Sequence, residues 1–196
     1  MSYSLETLKA LRESTGAGVN DVKKALDEAA GDIAKATDIL RKKGKVAALK
    51  KADRTAGEGV IGSYVHSNWK VGAFVALACE TDFVARNPEF RDLAHNLALH
   101  VAAANPEYLR PSDVPAHVIE KEKEIVREQL RAENKPESVM EKILACKLER
   151  FYSEHCLLHQ PFVKDNTMTV QELLEQAIAK IGEKVEITHY IRFTVS

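Results

Sequence analysis

The segment Cys79-Glu80-Thr81-Asp82-Phe83-Val84-Ala85-Arg86 carries the residues with the clearest potential for binding chemistry. It lies between an apolar run that predicts a strand and the pair Asn87-Pro88, which predicts the start of a helix. A loop held between two rigid elements can present a carboxylate and an aromatic ring to another molecule. The same pattern also fits a structural corner, in which Asp82 caps the turn and Phe83 points inward.

Two other groups of residues invite a chemical interpretation. His155, Cys156 and His159 offer three metal ligands, but no fourth ligand is evident and we expect no metal site. Cys79 ends an apolar run and His100 lies near the end of an amphipathic helix, so packing is favoured over a pair of thiol and base. We therefore expect no catalytic group, no cofactor and no enzyme activity in the bond-making sense.

The sequence does not indicate a nucleotide-binding loop. Gly-x-x-x-x-Gly-Lys-Ser/Thr does not occur. Gly57, Gly59 and Gly62 have the spacing Gly-x-Gly-x-x-Gly, but they lie before or within a predicted strand and not between a strand and a helix, which predicts that this chain binds no nucleotide itself. A basic cluster without interleaved aromatic residues is typical of a solvated linker, although strongly salt-dependent binding of RNA would instead indicate an accessory factor that binds RNA. The cluster contains Lys42, Lys43, Lys45, Lys50, Lys51 and Arg54.

The composition is that of a soluble globular protein. Among 196 residues, 45% are hydrophobic and 29% charged, and the net charge of -1 predicts no nucleic-acid partner. The first residues do not form a secretory signal and no apolar run reaches about 18 residues, so we expect a cytoplasmic protein without a membrane segment. Cys79, Cys146 and Cys156 lack the spacing of a disulfide framework and are expected to be reduced and mostly buried. Whether any of them bridges two copies stays open.

Residues 1–44 predict a module of three short helices. Ser4 and Asp32 are suitable caps, the second helix should end at Gly31, and the third should end before Gly44. The apolar residues predicted to face inward are Leu5, Leu8, Leu11, Val19, Val22, Ala25, Leu26, Ala29, Ile33, Ala36 and Leu40. Residues 45–57 follow as a basic, partly helical linker.

Residues 58–196 predict an α+β core domain. Alternating residues at 60–65 and 71–77 indicate a β-hairpin, and a helix should run from Pro88 to just before Asn105-Pro106. Charged helices from Pro115 and Pro136, to about Glu133 and Phe151, could form a helical hairpin. A last helix should begin at the cap Thr169 and end at Gly182.

A final strand over 185–195 has one apolar face, formed by Val185, Ile187, Ile191, Phe193 and Val195 with His189 as its polar member. The expected sheet is small and mostly antiparallel, with about three strands. Because so thin a sheet covers little apolar surface, self-association is expected.

The segment Thr81-Asp82-Phe83-Val84-Ala85-Arg86 resembles the signature loop of the elongation factor Ts family. The first module resembles the same family through Leu11-Arg12-Glu13-Ser14-Thr15-Gly16-Ala17-Gly18-Val19 and Asp21-Val22-Lys23-Lys24-Ala25-Leu26. Gln160-Pro161-Phe162-Val163 and Ile191-Arg192-Phe193 extend the likeness over almost the whole chain.

The resemblance implies a ubiquitin-associated-like module and an α+β core that together bind elongation factor Tu and accelerate its release of GDP. Phe83 would enter an apolar crevice of that GTPase, and Asp82 would approach the magnesium site, with Thr81 and Val84 holding the loop in shape. Further contacts are expected from Val19 and Lys23 of the first module, and from His100.

The chain departs from the family pattern in two respects. The family usually has asparagine where Ala78 stands, which should affect only the local support of the loop. Many members are longer, with a duplicated core half and an inserted coiled coil, whereas short members resemble this chain and work as homodimers. A homodimer is therefore expected, and a binding module without exchange activity is the main alternative function.

Overall fold

The computed structural model describes residues 3–133 and 136–195 of the chain, which fold into two compact units. The first unit comprises Met1–Ala102 with Gln171–Ser196, and the second comprises Ala103–Val170. Both helices and antiparallel strands are present, which confirms the predicted α+β class. The division into a module at 1–44, a linker at 45–57 and a core at 58–196 stays a prediction.

Three helices open the first unit: α1 is Leu5–Thr15, α2 is Val19–Glu28 and α3 is Ile33–Leu49. The predicted caps are present, because the side chain of Ser4 accepts a hydrogen bond from the Thr7 amide and that of Asp32 accepts one from the Lys35 amide, each at 3.1 Å. Gly16 ends α1 in the left-handed conformation, with φ of 65°, which a residue without Cβ adopts easily. Side-chain capping thus defines where α1 and α3 begin.

The bundle core matches the predicted inward face in most positions. It consists of buried residues from all three helices, namely Leu11, Val22, Ala25, Leu26, Ala29, Ala36 and Leu40. The prediction was wrong for Leu5, Val19 and Ile33, which are exposed. Each of these three is the first residue of its helix, so it lies at an end of the bundle where no neighbouring helix covers it.

Helix α3 does not end before Gly44, as the sequence suggests, but continues to Leu49. Gly44 is buried, and a Cβ atom on it would lie 3.5 Å from the carbonyl oxygen of Glu175 in helix α8, Val170–Ile181. The small residue therefore allows α3 to approach the backbone of α8. A glycine with this packing role does not terminate a helix.

The sheet of the first unit has the order β1-β2-β5 and is antiparallel, as predicted. Strand β1 is Glu58–Val65, β2 is Val71–Cys79 and β5 is Glu186–Thr194. Its inner face carries the buried residues Ala73, Val75, Leu77 and Ile187. Helix α5, Pro88–Ala104, contributes the buried residues Phe90, Ala94, Leu97, Ala98 and Val101.

Strand β1 and helix α5 approach each other most closely at Gly62. A Cβ atom placed on Gly62 would lie only 2.1 Å from the carbonyl oxygen of Ala94 and 2.8 Å from the amide of His95. Glycine is required at this position because backbone meets backbone. The contact fixes the separation of the sheet from α5.

The predicted apolar face of β5 was wrong beyond Ile187. A β-bulge places Thr188 outside the pairing register, since Leu77 pairs with Ile187 and Ala76 pairs with His189. An extra residue moves every later side chain of the strand to the opposite face of the sheet. Ile191 and Phe193 consequently lie on the outer face, where they are 47% and 56% exposed.

The bulge also turns Arg192 towards the inner side of the strand. Its Nε atom donates a hydrogen bond of 3.0 Å to the carbonyl oxygen of Ala102 near the C-terminal end of α5. A guanidinium group is well suited to this end of a helix, where carbonyl groups lack helical partners. The polar side chain thus has a structural role that alternation alone would not predict.

The second unit contains helix α6, Ala116–Ala132, helix α7, Glu137–His155, and a short hairpin of β3, Pro161–Phe162, and β4, Asp165–Thr169. Buried Val126, Leu130 and Leu144 join α6 to α7, which confirms the helical hairpin. The β3-β4 hairpin was not predicted, because strands of two and five residues are too short to show a period. In the described part of the chain, no helix is both long and apolar enough to span a membrane.

Replacing Gly62 with alanine should destabilise the first unit by about 3 kcal/mol, because β1 and α5 must move apart to admit the methyl group. The free energy of unfolding in urea measures this change. Gly57→Ala is the matched control, since a Cβ atom there meets nothing within 4 Å. Equal stabilities of the two variants would contradict the requirement for glycine at position 62.

Candidate partner-binding site

The segment after β2 forms a short helix, α4, at Asp82–Arg86. Thr81 is its N-cap, and its hydroxyl oxygen accepts a long hydrogen bond of 3.5 Å from the Val84 amide. Thr81 therefore caps the helix, whereas the structural-corner interpretation assigned the cap to Asp82. Since α4 directly follows a strand of the sheet and leads into α5, it is held at both ends.

Phe83 points away from the protein. Its side chain is 81% exposed, whereas Ala85 of the same helix is buried and Val84 is partly buried. The alternative in which Phe83 packs inward is therefore wrong. An aromatic ring that is exposed on a short, anchored helix can bury nearly all of its apolar surface against another protein.

Asp82 is paired with Arg86 one helical turn later, at 2.9 Å between Oδ2 and Nη2. Both side chains are substantially exposed, 45% for Asp82 and 73% for Arg86. Exposed ion pairs contribute about 1 kcal/mol or less, so the carboxylate can exchange this partner for a stronger one at little cost. Asp82 and Phe83 are neighbours in sequence and both reach solvent.

Glu183 anchors the backbone that leads into α4. Its Oε2 atom accepts hydrogen bonds from the amides of Glu80 and Thr81, each at 3.0 Å, and its Oε1 atom accepts one of 2.7 Å from the Thr81 hydroxyl. Three hydrogen bonds to one carboxylate define the position of these two residues closely. Glu183 lies in the turn between α8 and β5.

Glu80 makes the reciprocal contact. Its Oε1 atom accepts hydrogen bonds from the Lys184 amide at 2.6 Å and from Nη1 of Arg54 at 3.2 Å. The pKa of Glu80 lies below its ordinary value, first because of the bond from the Lys184 amide and then because of Arg54. We call Glu80 and Glu183 the crossed carboxylate pair, because each binds backbone next to the other.

Cys79 completes the support of the loop from the end of β2. Its buried thiol donates a hydrogen bond of 3.2 Å to the carbonyl oxygen of Thr81. Burial raises the pKa of this thiol, and the nearby Glu183 carboxylate raises it further. The sulfur is thus held as a neutral thiol, in keeping with the packing role expected for it. Cys156 is also buried, whereas Cys146 is exposed, contrary to the simplest expectation.

The residues predicted outside the loop lie in different environments. Val19 is 46% exposed at the start of α2, and Lys23 is exposed on the same helix. His100 is completely buried within α5, so its imidazole is not available to a partner in this conformation. The burial of His100 does not support the predicted direct contact with a partner.

Other candidate chemistry finds no support in the described residues. His155 pairs with Glu107 at 3.0 Å and stacks on Phe151, and burial raises the pKa of Cys156 to about 11. Residues 3–133 and 136–195 contain no group of three or more histidine, cysteine or acidic side chains arranged to hold a metal ion.

Comparison with known proteins gives the family. The family model described as Elongation factor TS matches residues 4–196. A protein of Moorella thermoacetica named Elongation factor Ts is 53% identical over 188 residues, covering 96% of this chain and 93% of its own length. Proteins of the same name from Thermosipho melanesiensis and Fervidobacterium nodosum are 52% and 51% identical, covering 98% and 100% of this chain and 98% and 99% of their own lengths.

An α+β fold with an anchored, exposed loop and matches over almost its whole length make this chain a translation elongation factor. It belongs to the elongation factor Ts family, as the resemblance of the loop and of the first module implied.

Glu80→Gln should lower the stability of the protein at neutral pH, and the deficit should disappear in acid. The folded-state pKa of Glu80 is depressed, so its stabilisation is complete above the ordinary value of 4.5 and is lost as pH falls through the folded-state pKa. Urea unfolding between pH 7 and about pH 2 measures this convergence with the wild type. A deficit that persists unchanged in acid would contradict the charge-based role. Glu89→Gln is the control, because Glu89 is an exposed carboxylate that is paired with Lys180.

Proposed function

We propose that this chain is a guanine nucleotide exchange factor for elongation factor Tu, which acts in translation elongation. The observation that carries the proposal is Phe83, an aromatic ring 81% exposed on a helix anchored at both ends. Membership of the elongation factor Ts family and the resemblance of the loop support the choice of partner.

Exchange requires no bond to be made or broken by this chain. A GTPase holds GDP through backbone amides around the phosphates and through a bound Mg²⁺. A factor that binds the nucleotide-free GTPase more tightly than the GDP-bound form weakens GDP binding by the same ratio. The factor therefore needs a surface that fits only the disturbed nucleotide site.

Phe83 and Asp82 supply the two parts of that surface. Phe83 inserts into an apolar crevice of the GTPase and gains the burial that it lacks in the free protein. Asp82 leaves Arg86 and approaches the magnesium site, where its carboxylate disturbs the ligands or waters of the ion. Thr81 and Val84 hold the helix that carries both.

The first module contributes a second contact in this proposal. Val19 and Lys23 lie four residues apart on α2 and are both exposed, so they share one side of that helix. An apolar group beside an ammonium group suits a polar protein surface better than a hydrophobic groove. This contact anchors the GTPase while the loop acts on its nucleotide site.

We further propose that the protein works as a homodimer, formed through the outer face of the sheet. Five exposed apolar residues share this face: Ile61, Val65, Phe74, Ile191 and Phe193. His189 and Glu186 are ionisable residues of β5 on the same face, where they pair with Ala76 and Ala78. A second copy presents an identical apolar sheet, and two such faces pack across a twofold axis.

Trp69 extends the apolar surface at the end of the sheet. It lies among residues 66–70, which join β1 to β2, with φ of 59°, a left-handed conformation that residues with a Cβ atom rarely adopt. The residue is 83% exposed, so packing against the described residues does little to compensate for the strained backbone. Contact with the second copy would explain why tryptophan is present.

Phe83→Ala should slow the assisted release of GDP from elongation factor Tu by at least about tenfold while leaving folding unchanged, because an exposed ring contributes little to the free chain. Stopped-flow release of a fluorescent GDP analogue measures the rate. Leu49→Ala, which removes another exposed apolar side chain, should behave as wild type. Normal exchange by folded Phe83→Ala would exclude this assignment.

Two results with the wild type would favour another function. Binding to the GTPase without faster release of GDP would favour a simple binding module, and strongly salt-dependent RNA binding would favour an RNA accessory factor.

Phe193→Ser should convert the dimer into monomers, because it places a hydroxyl group in the proposed apolar interface. Sedimentation equilibrium should give twice the chain mass of 21.8 kDa for the wild type and for Val163→Ser, an exposed apolar position in the second unit, but half as much for Phe193→Ser. Trp69, the single tryptophan, should show red-shifted fluorescence emission when the wild type dissociates on dilution. A monomeric wild type would contradict the proposed assembly.

A further inference from the structure

We propose that Glu183 is a positioning residue for nucleotide exchange, which acts through the hydroxyl group of Thr81. The inference rests on the proposed function of the loop and assigns a role to a residue that does not belong to it. Glu183 is separated from Thr81 by 102 positions in the sequence, yet it makes three hydrogen bonds to Glu80 and Thr81.

The chemistry of the cap explains why a carboxylate is needed. To cap α4, the Thr81 hydroxyl must accept a hydrogen bond from the Val84 amide. Its own proton must then be donated elsewhere, and Oε1 of Glu183 receives it at 2.7 Å. A carboxylate has only acceptor sites, so it fixes the hydroxyl in the one orientation that leaves a lone pair for α4.

The remaining oxygen of Glu183 fixes the backbone before the helix. Oε2 accepts from the amides of Glu80 and Thr81, so both residues are held in the extended conformation that ends β2. Residue 183 itself is held in return, because the Lys184 amide donates to Glu80 at 2.6 Å. The direction of α4, and with it the position of Phe83, is therefore set by the turn between α8 and β5.

The placement of Phe83 and Asp82 affects release more than initial binding. A loop that is free to change direction still meets the GTPase, but it spends less time in the geometry that disturbs the magnesium site. Loss of Glu183 should thus lower the maximal rate of GDP release at saturating factor. The concentration of factor that gives half of the maximal rate should change much less.

Glu183→Gln is the informative substitution. Glutamine has the same shape, but its amide nitrogen is a donor and cannot accept. It must either face the two backbone amides or donate to the Thr81 hydroxyl oxygen, and in the second case the acceptor that now fixes the hydroxyl proton is lost. We expect the maximal rate of GDP release to fall about tenfold. The control Glu186→Gln makes the same chemical change at a carboxylate that pairs with the Lys184 ammonium group and should keep the wild-type rate.

A double-mutant cycle tests whether the effect passes through Thr81. In a Thr81→Val background the hydroxyl is gone, so adding Glu183→Gln should lower the maximal rate by clearly less than it does in the wild type. Equal effects in both backgrounds would overturn the proposed route. A rise in the half-saturating concentration with an unchanged maximal rate would overturn the positioning role.

Hydrogen exchange of the free protein provides a readout that is independent of the GTPase. Glu183→Gln should increase the exchange rates of the amides of residues 80, 81 and 84, while core amides of β2 keep their protection. Unchanged protection at these three amides would overturn the inference even if the proposed exchange activity is correct. A wild type that does not accelerate GDP release would instead overturn the proposed function, and the amide exchange would still decide what Glu183 holds.

Discussion

The close packing of strand β1 on helix α5 is the constraint on which the first unit depends. At Gly62 the two backbones approach so closely that no side-chain carbon fits between them. The sheet and α5 are also the two supports of α4, because β2 leads into that helix and α5 follows it. The distance set at Gly62 therefore fixes the span that the short segment from Glu80 to Asn87 must bridge.

Within that span, electrostatic contacts select one conformation. The crossed carboxylate pair joins the end of β2 to the turn before β5, and each acid satisfies amides that would otherwise lack partners at the end of a strand. Packing could place the segment only approximately. The hydrogen bonds of Glu80 to Lys184 and Arg54, and of Glu183 to Glu80 and Thr81, define the direction in which Phe83 points.

Much of this fold can be predicted from the sequence, because it is encoded locally. Ser4 and Asp32 cap helices as their types suggest, Pro88 begins α5, and alternating residues mark β1 and β2. These features depend on neighbours within a few positions. The family resemblance of the loop is equally local, since it resides in consecutive residues.

The features that escaped prediction depend on residues distant in sequence. Gly44 has the residue type of a helix terminator, and only the distant helix α8 gives it a packing role. The alternation of β5 changes at Thr188 because of the way in which β5 pairs with β2. Glu183 has no signal in its own neighbourhood that connects it to Thr81. For His100, helix position alone did not reveal that surrounding elements bury it completely.

The continuation of α3 through Gly44 has a mechanical consequence. Helix α3 belongs to the first module and packs at Gly44 against α8, whose end leads directly to Glu183 and so to α4. The first module and the loop are therefore linked through this contact as well as along the chain. When two contact surfaces belong to one molecule, engagement of one raises the effective concentration of the other. In the proposed complex, a weak contact through α2 strengthens the action of a single aromatic ring on α4 in this way.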